Sequence, residues 1–145
     1  MHITKYNTFS SSDHTSYEFL SIGPRGTIKK IVNYTELSQG IYNLGFGDWD
    51  EVDQVVKDDT RSNNGDREKV LATIASTVIE FIKHYPEARI FAQGQTMAKT
   101  RLYQIGIRAN WDEITKAFEI EGFTNGSWET VKHNKNYQAF ILRPK

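Results

Sequence analysis

The sequence predicts an α+β fold: a mostly antiparallel sheet of five to six strands with two principal helices packed on one face. Three observations carry that expectation. A long amphipathic stretch, NNGDREKVLATIASTVIEFIKHYP at 63–86, has the period of a helix with one apolar stripe. Two turn signals, Gly23-Pro24-Arg25-Gly26 and Asn125-Gly126, each separate short strand-like segments. A second helical stretch, MAKTRLYQIGIRA at 97–109, follows the compact strand signal Arg89-Ile90-Phe91-Ala92.

The first 16 residues are polar and weakly patterned, with Ile3, Tyr6 and Phe9 available to dock on the body, and a single domain is expected over 17–145. Tyr17, Phe19 and Ser21 alternate with Glu18, Leu20 and Ile22, so the first strand has two partly covered faces. Proline presets one dihedral at Pro24 and the flanking glycines permit positive φ, which turns the chain into a second strand containing Ile28, Ile31 and Val32. A third strand is expected at 41–46. Gly45 and Gly47 flank Phe46 there and suggest a backbone that bends or is closely approached. From Asp48 to Asp59 six acids stand against Lys57 alone. Val52, Val55 and Val56 would form a short helix inside that acidic, solvated run.

Val70, Leu71, Ile74, Val78, Phe81, Ile82 and Tyr85 form the stripe of the first long helix. Pro86 ends it, and Asn63 or Asp66 would cap its start. A helix, a short turn and the 89–92 strand make a crossover. Thr96 is the expected cap of the second helix, whose stripe is read as Ala98, Leu102, Ile105 and Ala109. Asn110 then starts a short helix with Ile114, Ala117 and Phe118 inward. The Asn-Gly hairpin joins strands at 118–123 and 128–131, and 137–142 closes the sheet.

Composition narrows function more than it names it. A chain of 145 residues fits one core. Eighteen basic and 18 acidic residues cancel, which gives no general attraction to nucleic acid. The absence of cysteine excludes disulfides, thiolate metal sites and cysteine nucleophiles. No leader or long apolar run is present, so a soluble, cytoplasmic protein with no membrane partner is expected. The four histidines, His2, His14, His84 and His133, have no zinc-ligand spacing.

Two polar constellations bear chemistry. The first joins Asp48 to Asp58, Asp59, Asn63, Asn64, Gly65, Asp66 and Arg67. Converging carboxylates could hold a divalent cation, for which Asp48, Asp58 and Asp59 are the candidates, or raise one another's proton affinity for acid–base work. The plainer reading is a capped turn, since Asn and Asp bond their own backbone and Gly65 relieves a strained dihedral. The second is Gly94 to Tyr103. A glycine loop entering a helix presents backbone donors to an anion, with Thr96, Lys99, Arg101 and, if folding brings it near, Arg67 as binding residues. The plainer reading there is a capped helix with a basic exposed face. Asp48, Asp59, Asp66 and Tyr103 are the catalytic candidates. No cofactor is indicated.

YEFLSIGPRGTIKKIV, IYNLGFGDWD, the acidic pair Asp58-Asp59, NNGDREKVLATIASTVIEF, GQTMAKTRLYQIGI and NYQAFILRPK together resemble an uncharacterised family of small bacterial proteins, found mainly in Bacteroidota. The resemblance runs from Tyr17 to Lys145. Asp48, Asn64, Gly65, Asp66, Arg67, Arg101 and Tyr103 match the family's polar motifs. The family pattern has arginine where Lys99 stands and commonly serine where Gln95 stands; lysine keeps the cation and loses arginine's two-pronged contact. The resemblance implies no activity. The leading expectation is a binding or interaction protein with a phosphate- or nucleotide-accepting helix entrance, whose partner is a protein, a second copy, a nucleotide or RNA. The alternative is a compact enzyme acting on nucleic acid or a phosphorylated substrate, of which a toxin–antitoxin component is one form.

Overall fold

The computed structural model describes residues 4–57 and 64–145. Among them are nine strands, β1 (Phe9–Ser10), β2 (Ser16–Gly23), β3 (Gly26–Ser38), β4 (Ile41–Asp50), β5 (Val55–Lys57), β6 (Arg89–Ala92), β7 (Phe118–Thr124), β8 (Ser127–Thr130) and β9 (Ala139–Pro144), and three helices, α1 (Arg67–His84), α2 (Met97–Ala109) and α3 (Trp111–Ala117). All strands join one mixed sheet in the order β1-β2-β3-β4-β6-β9-β7-β8, with β5 paired to β4 off that path. The fold is therefore α+β, but the sheet exceeds the expected five to six strands and three helices replace two.

The excess has local causes. β1 is two residues long and has no alternation to read; it exists because Phe9 and Ser10 pair with Glu18 and Tyr17. β4 runs four residues past Phe46, and its end at Asp48, Trp49 and Asp50 pairs with β5. The valines expected to form a helix in the acidic run thus form an edge strand instead, as β-branched residues favour. The other end of β4 pairs in parallel with β6, after the crossover through α1, and that pairing makes the sheet mixed.

α1 buries the stripe its period predicts: Val70, Leu71, Ile74, Val78 and Phe81 are buried, with Ile82 and Tyr85 packed partly against the same core. Tyr34 stacks on Phe81 with centroids 4.2 Å apart, which fixes the helix over β3. Two threonines widen the buried face. Thr77 Oγ1 lies 2.9 Å from Tyr34 Oη, and Thr73 Oγ1 accepts from the backbone N–H of Tyr6 at 2.9 Å while donating to the Lys69 carbonyl. The N-terminal segment is thereby fastened to α1.

The two hairpins close where the turn residues stand. Gly23 pairs with Gly26 across Pro24-Arg25, and Thr124 with Ser127 across Asn125-Gly126, both of which have positive φ. α2 turns a different face inward from the one expected. Ala98 and Ala109 are exposed and Leu102 and Ile105 half-buried, while Thr100, Tyr103, Gln104 and Ile107 face the core. The polar members tolerate burial because their partners lie elsewhere in the chain: Thr100 Oγ1 accepts from Gly94 N–H at 2.9 Å, and Gln104 Nε2 donates to the Lys135 carbonyl at 2.8 Å.

Candidate functional site

On the helix-covered face the strands carry an apolar core that turns polar at one end. Register places Tyr17, Val32 and Phe46 in one row and Phe19, Lys30 and Asp48 in the next. Lys30 is 5% exposed, and its Nζ lies 2.5 Å from Asp48 Oδ1. The same ammonium sits 5.8 Å from the centroid of Phe46, whose ring stacks on Phe19. From the other side of the sequence, Lys99 Nζ approaches that ring to 4.8 Å. Two cations from β3 and α2 therefore share one aromatic ring, beside the carboxylate of Asp48.

The Lys99 approach follows from the loop before α2. A Cβ on Gly94 would stand 2.3 Å from Lys99 Cβ, so only glycine lets the loop lie against the lysine stem. Thr96 caps the helix as expected, its Oγ1 accepting from Lys99 N–H at 3.1 Å. Gly94 N–H is taken by Thr100. Positive charge at this helix entrance thus comes from a side chain that reaches back to the sheet, with the named backbone donors bonded internally.

Beside this row stands a second polar cluster. Asp66 holds the N-cap position of α1 but its side chain makes no cap bond; Oδ2 instead accepts from Ser21 Oγ and Tyr6 Oη, each at 2.6 Å. Burial first, and then the bond to Asp66, push the Tyr6 phenol up from its ordinary value. Asn64 is 2% exposed and holds the β2–β3 turn: Oδ1 accepts from Arg25 N–H at 2.7 Å and Nδ2 donates to the Gly26 carbonyl at 2.9 Å. Gly23 is the complement, since a Cβ there would fall 1.9 Å from the Asn64 carbonyl oxygen.

The other expected residues separate. Tyr103 is buried and lines an apolar cavity of about 40 Å³ together with Leu71, Gly106 and Ile107. Arg101 turns to Gln104, Nη1 donating to Oε1 at 2.8 Å. Arg67 is exposed at the first position of α1. Asp58, Asp59 and Asn63 lie outside the described residues. Among the described residues no group of three or more His, Asp or Glu side chains is placed to hold a metal ion.

Lys30 and Phe46 escaped the reading of motifs. The signal was there: Lys30 occupies the alternation of Val32 and Tyr34, so a lysine stands at core parity and needs a carboxylate opposite.

Residues 2–145 match the model of a family of unknown function, DUF6934. The chain belongs to the DUF6934 family. Comparison with curated proteins found no match, and comparison with solved structures found none. For this DUF6934 chain the site's own chemistry is therefore the guide to function. Among its described residues no helix is long and apolar enough to cross a membrane.

Proposed function

We propose that this DUF6934 chain is a small bacterial, cytoplasmic binding protein that takes a phosphate-bearing ligand, a nucleotide or an RNA end, where Lys30 and Lys99 face Phe46. The observation that carries the reading is the pair of ammonium groups from separate elements on one ring, one of them on a residue 5% exposed. Burying a lysine beside a carboxylate gains little stability over an apolar pair, so its presence at a core position points to a task other than folding. Asp48 fixes the Lys30 ammonium in place, and Lys99 supplies a second cation over the same ring. Arg67 and Thr96 lie at the two helix entrances, where they would extend the contact of a larger anionic ligand.

The test is a thermal-shift and titration series against inorganic phosphate, nucleotides and short RNA. A saturable shift that disappears in Lys99→Met, persists in Arg101→Ala and returns in Lys99→Arg is the expected result. A flat response of the wild type to every anion overturns the proposal.

A second reading, an enzyme acting on a phosphorylated or nucleic-acid substrate, is favoured by Asp48 standing in the same row as Lys30. It predicts that Asp48→Asn keeps ligand binding and loses turnover; binding without turnover in the wild type rejects it.

A further inference from the structure

The three helices pack on one face of the sheet, and the opposite face carries an apolar patch at the β1–β3 end. Phe9, Leu20 and Ile22 are 66%, 48% and 63% exposed. They alternate with, or pair beside, Tyr17, Phe19 and Ser21, whose side chains are buried beneath the helices. Within the patch lies an ion pair: Lys29 Nζ is 3.0 Å from Glu18 Oε2, and both side chains remain more than a third exposed. Lys29 Nζ also lies 5.6 Å from the Trp49 ring.

We propose that this face is the interface of a homodimer in solution. Large apolar side chains gathered on one surface, rather than scattered, mark an association site. The charge pattern selects the occupant. One cation and one anion stand side by side among apolar groups, so a strongly basic or acidic partner gains nothing there. A two-fold axis through the ion pair sets Glu18 of each copy over Lys29 of the other and closes the apolar side chains around them, the self-complementarity that an isologous contact requires. Two sheet faces pack about 10 Å apart, a span that interdigitated side chains of this size fill. Equal numbers of acidic and basic residues, 18 each, leave no long-range repulsion between copies.

Sedimentation velocity of the full chain over a concentration series tests this. The wild type is expected to move from monomer to dimer, and Ile22→Asp and Leu20→Asp to remain monomeric with wild-type circular dichroism. Glu18→Lys and Lys29→Glu are each expected to weaken self-association more than about tenfold, and an equimolar mixture of the two to restore it as a heterodimer. A wild type monomeric throughout overturns the proposal. So does a dimer that survives both aspartate substitutions, and so does a mixture of charge variants that stays monomeric while the wild type pairs. Addition of a different macromolecule that saturates at one copy per monomer and competes with dimer formation assigns the face to that partner instead.

Discussion

Lys30 Nζ lies 2.5 Å from Asp48 Oδ1 across the β3–β4 ladder, on the face that the helices cover. The two side chains are 6% and 13% exposed, so each has exchanged most of its water for the other and its neighbours. Removing one partner takes away a charge that meets the other at 2.5 Å in a largely buried setting. Lys30→Met alone is expected to cost about 3–5 kcal/mol, while Lys30→Met with Asp48→Leu recovers most of that loss. Urea unfolding of the two single variants and the double gives the coupling directly. A single variant as stable as the wild type would show that the pair is not buried in solution.

Gly106 stands in the middle of α2, where alanine is the better helix former. A Cβ there would meet Leu71 Cδ2 at 3.2 Å, and both residues line the same cavity. The leucine tip has room to yield into that space. Gly106→Ala is therefore expected to stabilise the protein by about 0.5–1 kcal/mol. A lower melting temperature would mean that the cavity wall does not give.

Arg101 serves Gln104, which is 1% exposed and also accepts from Tyr137 N–H and donates to the Lys135 carbonyl. Arg101→Ala leaves that network otherwise intact and should cost about 1 kcal/mol; Gln104→Ala orphans several buried groups and should cost about 1–3 kcal/mol. Chemical denaturation separates the two. Anion titrations of Arg101→Ala should match the wild type, because this side chain donates to Gln104, whereas the cations over Phe46 are Lys30 and Lys99.

Glu129 binds Lys135 Nζ at 3.0 Å and accepts from Tyr137 Oη at 2.9 Å. The lysine first, and then the phenol, hold its carboxyl below the usual value of 4.5. As pH falls, the unfolded chain takes up this proton before the folded one. The contribution is thus complete above the ordinary glutamate range and is lost as pH drops through the lowered folded value. The melting-temperature gap between wild type and Glu129→Gln should be open at neutral pH and narrow as the pH falls below the ordinary glutamate range. A gap independent of pH would remove Glu129 from the acid response.

What the sequence discloses here depends on whether a residue's partner is local. α1 and both hairpins were legible because a stripe such as Val70, Ile74 and Phe81, or a pair such as Asn125-Gly126, carries its own geometry. The inward face of α2 was not, since Thr100 and Gln104 look like solvent residues until Gly94 and Lys135 meet them. Asp66 has the type and place of a helix cap, yet Tyr6 and Ser21 claim its carboxylate from 60 and 45 residues away. In the candidate site Asp48 and Lys99 were named from sequence; Lys30 and Phe46, which bring them together, required the register of β3 on β4.

β9 occupies the sheet between β6 and β7, although 46 residues separate its start from the end of β6. Until residues 139–144 are in place, β6 and the β7–β8 hairpin each present an unsatisfied inner edge, and the core row of Ile90, Leu142 and Ile120 is missing its middle member. The sheet becomes continuous only when this strand bridges the two edges. Closure of the sheet therefore rests on one six-residue strand, and without it two bare edges face each other, the kind of surface that templates pairing with another chain.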